Sequence, residues 1–107
     1  KMTFGDQQML EKILSRFKQD CISDSAELKI HLEENDQDKS RLIVHRIAGR
    51  TAQMGSKTLA QVLRQLEIEI ADNGLNQEIK AEVLNQLTTL DALIAALKEM
   101  EPAGGKL

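Results

Sequence analysis

Few side chains in this sequence could carry covalent chemistry: two histidines, His31 and His45, and a lone cysteine, Cys21. A neutral imidazole is a nucleophile and a metal ligand at physiological pH, whereas a thiol must first ionise. Cys21 stands at helical spacing from Leu14 and Phe17, which predicts a buried, inert thiol, the usual place of an unpaired cysteine. His31 stands near the end of a short helical segment, where an imidazole meets helix carbonyls; a structural or neutral role is expected. His45 is different. At about 100° per residue, Ile43, Val44, Ile47, Thr51 and Met54 occupy one arc of a helix, and His45 falls opposite its middle. Its ring is expected in water.

Arg41, Ala48, Gly49 and Ala52 share that face one turn either side. Three of the four are very small, so a second protein could approach the imidazole closely, with Leu42, Ala48 and Ala52 as a docking surface. Gly49 sharpens the point. A glycine inside a helix costs about 0.5–1 kcal/mol relative to alanine, and clearance beside His45 is a reason to bear that cost. A turn centred on Gly55-Ser56 then pairs levels along a helical hairpin: His45 lies ten residues before Gly55, and Glu67 eleven after Ser56. Glu67 also sits at the edge of its own apolar stripe. A carboxylate accepting from Nδ1–H would fix the tautomer that leaves the Nε2 lone pair outward. That is the arrangement a nucleophilic imidazole needs.

Other chemistries find less support. A di-iron bundle needs paired Glu-x-x-His motifs, but Leu28 and Leu42 stand three residues before the two histidines. Two histidines and one cysteine on separate segments do not compose a zinc site, so no metal and no cofactor are expected. The net charge of -3, from 14 basic and 17 acidic residues, offers no cationic footprint for nucleic acid, and tryptophan and tyrosine are absent as stacking platforms. No glycine-rich phosphate loop is present. No apolar run approaches the ~18 residues of a membrane span, and no signal-peptide pattern opens the chain. A cytoplasmic location without membrane contact is expected, and a single cysteine fits a reducing compartment.

The elements that must position these residues are helices. At 107 residues the chain is one domain. Its aromatic content is 2%, from Phe4 and Phe17, against 41% hydrophobic residues, so its core must be aliphatic. Leu, Ala, Glu, Gln and Lys dominate, which favours helix over strand. A first segment from Asp6 carries Leu10, Leu14, Phe17 and Cys21 on one stripe, with Met9 and Ile13 beside it. Ser23-Asp24-Ser25 is expected to cap a new helix or kink the old one; a short segment with Ala26, Leu28 and Leu32 follows. Asp36 can cap the histidine-bearing helix, which Gly55 stops. Ser56 can cap a helix carrying Leu59, Val62, Leu63, Leu66 and Ile70, which ends at Asp72-Asn73-Gly74. Asn76 can cap the last, with Ile79, Val83, Leu87, Leu90, Ile94 and Leu97. Short junctions force antiparallel neighbours, so the expected architecture is an all-α, antiparallel up-down four-helix bundle with a broken or kinked first arm. The breaks at Gly55 and Gly74 argue against a long coiled-coil dimer, and a monomer is expected. Residues 1–5 read as an N-terminal remnant, 6–100 as the bundle and 101–107 as a disordered tail.

His45-Arg46-Ile47-Ala48-Gly49, followed by Gly55, Leu59 and Leu66-Glu67, resembles the histidine-containing phosphotransfer (HPt) domain family of bacterial two-component phosphorelays. That family's signature is a histidine, an apolar residue two on, a lysine three on, a glycine four on and a second glycine ten on. Four of those five positions match, and the similarity extends more loosely over residues 6–100. The resemblance implies a four-helix bundle whose exposed histidine accepts a phosphoryl group from a receiver-domain aspartate and passes it to another receiver. His45 would be the phosphoacceptor, Glu67 its orienting group and Gly49 the clearance. The catalytic aspartate and Mg²⁺ would belong to a response-regulator receiver, and a sensor kinase could lie in cis. The departure is Ala48, where the family usually has lysine. Arg41, Arg46 and Arg50 offer charge in its place, Arg41 with the best angular placement. A docking module that binds a receiver or another partner without transfer is the alternative.

Overall fold

The structure, a computed structural model, describes residues 4–100, with side-chain surroundings described from residue 8 to residue 97. Residues 1–3 of the expected N-terminal remnant and the expected tail at 101–107 lie outside the described residues. Four helices follow in order: α1 (Phe4–Glu33), α2 (Gln37–Gln53), α3 (Lys57–Asn73) and α4 (Gln77–Met100). No strand occurs among the described residues. Each helix packs against its chain neighbour, α2 on α3 most extensively, and α1 meets α4 to close the bundle. No helix of the described residues is long and apolar enough to cross a membrane.

The three junctions are built from local chemistry. Asn35, in the left-handed region at φ 57°, ends α1; its N–H donates to Leu32 O and that of Asp36 to His31 O. Gly55 does the same for α2 at φ 87°, its N–H donating to Ala52 O and that of Ser56 to Thr51 O at 2.9 Å. Such left-handed stops satisfy carbonyls that the helix end leaves unpaired. Asp36 then caps α2 by accepting from the Lys39 N–H at 3.1 Å. Asn76 caps α4 by accepting from the Ile79 N–H at 2.8 Å. Ser56 occupies the cap position of α3, but its side chain makes no cap hydrogen bond.

The expected break in the first arm is absent. α1 runs through Ser23-Asp24-Ser25 without interruption and opens at Phe4, ahead of the expected start at Asp6. The physical reason is tertiary. The Asp24 carboxylate is buried and accepts from Arg46 Nη1 at 3.0 Å and Arg50 Nε at 2.9 Å. Arg50 Nη1 also donates to Asp20 at 3.0 Å. A carboxylate that faces two guanidinium groups on α2 is not available to cap its own helix.

The core is aliphatic. Leu28, Ile43, Val44, Ile47, Leu63, Ile70, Val83, Leu87 and Leu90 are all at most 1% exposed. Phe17 and Cys21 join them, and burial pushes the Cys21 thiol up to about 11 despite the opposing charge of Arg50. The expected stripe of α1 is covered only over its second half. Met9, Leu10 and Ile13 are exposed, Leu14 is half-buried and Ala26 is exposed. Helix lengths explain the exposure of Met9, Leu10 and Ile13: α1 has 30 residues and α2 has 17, and at about 1.5 Å per residue the N-terminal half of α1 outruns the helix that would cover it.

The clamp on Asp24 generates a test. Asp24→Ala should lower unfolding stability in urea by about 2 kcal/mol, since it leaves the Arg46 guanidinium without its acceptor and Arg50 with Asp20 alone. Ser23→Ala should stay within about 0.5 kcal/mol. Equal, small effects of the two would remove the clamp as the reason α1 is continuous.

Candidate functional site

α2 is held from two sides. Ile43, Val44, Ile47, Ala48 and Thr51 are buried against the rest of the bundle, and the opposite face points outward. His45 is on that face, with 68% of its side chain exposed. On α3, buried Leu66 and Ile70 flank Glu67 in sequence and hold it at the interhelical edge, 21% exposed. The two side chains meet: His45 Nδ1 lies 3.0 Å and 3.1 Å from the two Glu67 oxygens. A carboxylate only accepts, so the proton belongs on Nδ1 and the Nε2 lone pair faces water. Among the described residues nothing bonds to Nε2.

An open depression of about 400 Å³ surrounds the ring, lined by Arg41, His45, Arg64, Glu67, Ile68 and Ala71. Arg41 is therefore beside the imidazole, as its angular placement predicts. Arg64 is a residue that sequence reasoning missed. Its signal was present: it lies three residues before Glu67, and residues three apart share a helix face.

Three expectations need correction. Arg46 and Arg50 do not serve the His45 face, because both guanidinium groups are engaged by Asp24, and Arg50 by Asp20 as well. Ala48 is 1% exposed and belongs to the core, so it is neither floor nor docking surface. α2 packs against α1 as well as α3, and its buried arc is wider than the apolar stripe alone suggests. Ala52 is half-buried. Leu42 is exposed as expected, and Ile68, across the depression on α3, is a second exposed apolar side chain that the pattern did not single out. Gly49 is half-buried, and a Cβ built there meets nothing within 4 Å. Among the described residues no neighbour demands a glycine at this position. The space beside it is open to an incoming molecule.

His31 sits in the last turn of α1, with Nε2 at 3.4 Å from Glu27 and Nδ1 at 3.5 Å from Glu34. His31, Glu34 and Asp36 bring ligand-type atoms within 4.8 Å of one another, but one Asp36 oxygen already caps α2. These contacts are what an imidazole gathers among acidic side chains at a helix end.

Compared with known proteins, the chain matches the family model described as Hpt domain over residues 12–100. No curated protein and no solved structure matches it significantly.

The His45–Glu67 contact sets a measurable property of the ring. In ¹⁵N spectra of the neutral imidazole, the wild-type protein should show the proton on Nδ1, and Glu67→Ala should shift the population towards the Nε2–H form while helicity is retained. An unchanged tautomer in the variant would mean that the carboxylate does not control the ring.

Proposed function

The chain belongs to the Hpt domain family, whose members are histidine phosphotransfer modules of phosphorelays that work with response-regulator receivers, and from that premise we propose that His45 is its phosphoacceptor. The observation that carries this reading is an exposed imidazole whose Nδ1 is held by Glu67 while Nε2 is open to solvent. In the proposed step, the Nε2 lone pair attacks the phosphorus of a receiver's aspartyl phosphate. The N–P bond forms as the bond from phosphorus to the carboxylate oxygen breaks, and the aspartate leaves as a carboxylate. No proton need move. The Nδ1 proton stays where it is, the phosphorylated ring becomes cationic, and Glu67 stabilises that cation through a charge-assisted hydrogen bond. Onward transfer to a second receiver reverses the same step.

The transition state of such a transfer is loose, and catalysis consists largely of positioning and charge stabilisation. This chain contributes the nucleophile, its tautomer and its clearance; the receiver would supply the aspartate and the Mg²⁺. Ile68 in the depression and Leu42, exposed on α2, offer apolar contacts to that receiver, and the open space at Gly49 admits its approach.

Incubation with a phosphorylated receiver domain and Mg²⁺ tests the assignment. The wild type should take up an acid-labile, alkali-stable label that His45→Gln lacks. Glu67→Ala should slow uptake by about 10-fold, the rate equivalent of the ~1.5 kcal/mol that a hydrogen bond to a charged group contributes. Label on the His45→Gln protein would overturn the assignment, and receiver binding without label would favour the docking alternative.

A further inference from the structure

A phosphoryl group on Nε2 would place a dianion beside Glu67, itself a carboxylate, so the site needs cations not already committed elsewhere. α2 and α3 carry four arginines: Arg41, Arg46, Arg50 and Arg64. Arg46 and Arg50 are neutralised by Asp24 and Asp20. Arg41 and Arg64 have no ion-pair partner among the described residues, and both line the depression that holds His45 and Glu67. The antiparallel register says more. Since His45 pairs by level with Glu67, Arg64 stands across from position 48, where Ala48 is sealed in the core. Arg41 lies one turn from His45 in the other direction along the bundle. The two arginines thus stand on opposite sides of the level of the ring, on different helices.

We propose that Arg64, on α3, is a phosphate-binding residue of this site, contacting the phosphoryl oxygens with Arg41 opposite and supplying the charge that position 48 does not. This inference rests on His45 as phosphoacceptor. A guanidinium is suited to the task, because it offers several donors in a planar fork to the oxygens of a phosphoryl group.

Phosphoramidate, which donates a phosphoryl group to imidazole with loss of ammonia, tests the proposal without a receiver. Initial labelling rates would be compared for the wild type, Arg64→Ala, Arg64→Lys and Arg41→Ala at low and high salt, with thermal unfolding as the control for folding. Arg64→Ala should label about fivefold more slowly at low salt, Arg64→Lys should recover most of the loss, and the difference should shrink at high salt as screening removes the charge effect. Rates equal to wild type in Arg64→Ala, with label still on His45, would overturn the role of Arg64 and leave the phosphoacceptor assignment standing. A charge-dependent loss with phosphoramidate, but no uptake by the wild type from a phosphorylated receiver, would support Arg64 and sink the relay reading instead. Label that persists in His45→Gln would overturn both.

Discussion

The hydrogen bond between Glu67 and the Nδ1–H of His45 is the contact on which the site depends, and it is a statement about register. It joins residues 22 apart in sequence across two antiparallel helices, and it exists only because the turn between them has a fixed length and a fixed stop. Gly55, in the left-handed region, ends α2 within one residue and returns the chain at once into α3. A turn one residue longer would rotate α3 by about 100° and carry Glu67 away from the ring. The aliphatic core enforces the same register from the inside, with Val44 and Ile47 locked on one side and Leu66 and Ile70 on the other.

A second constraint is how α2 distributes its charge. Three arginines lie on this helix at positions 41, 46 and 50, and helical geometry sends them to two places. Arg46 and Arg50 turn towards α1 and close on Asp24, a carboxylate so buried that it would be costly without them. Arg41 turns towards α3 and the imidazole. One helix therefore ties the bundle together with two of its cations and leaves the third at the site. The clamp also explains why the first arm is one long helix: Asp24 serves the interface between α1 and α2, and the polar triplet around it has no reason to start a new helix.

Much of this was legible from residue spacing. The periodicity of apolar residues reports which face is dry, so the buried arc through Ile43, Val44 and Ile47 and the exposed position of His45 could both be read in advance. The glycine and asparagine stops reported the junctions, and counting outward from Gly55 brought Glu67 to His45. What spacing does not report is how many neighbours a helix has. Ala48 was read as surface because it lies off the strongest stripe, yet it is 1% exposed and part of the core, and a small residue is what lets two helices approach. The same blindness to neighbours hid the engagement of Arg46 and Arg50, the uncovered half of the α1 stripe and the presence of Arg64 beside the ring. Each depends on which helix lies alongside, a matter of tertiary geometry.

On the proposed role of His45 as phosphoacceptor, the carboxylate that holds the proton on Nδ1 directs the phosphoryl group to Nε2. The most direct measurement is the ¹⁵N–³¹P coupling in the phosphorylated, ¹⁵N-histidine-labelled protein. The nitrogen coupled to phosphorus should be Nε2 of His45, with Nδ1 still protonated. Coupling at Nδ1, or on the His31 ring, would contradict it.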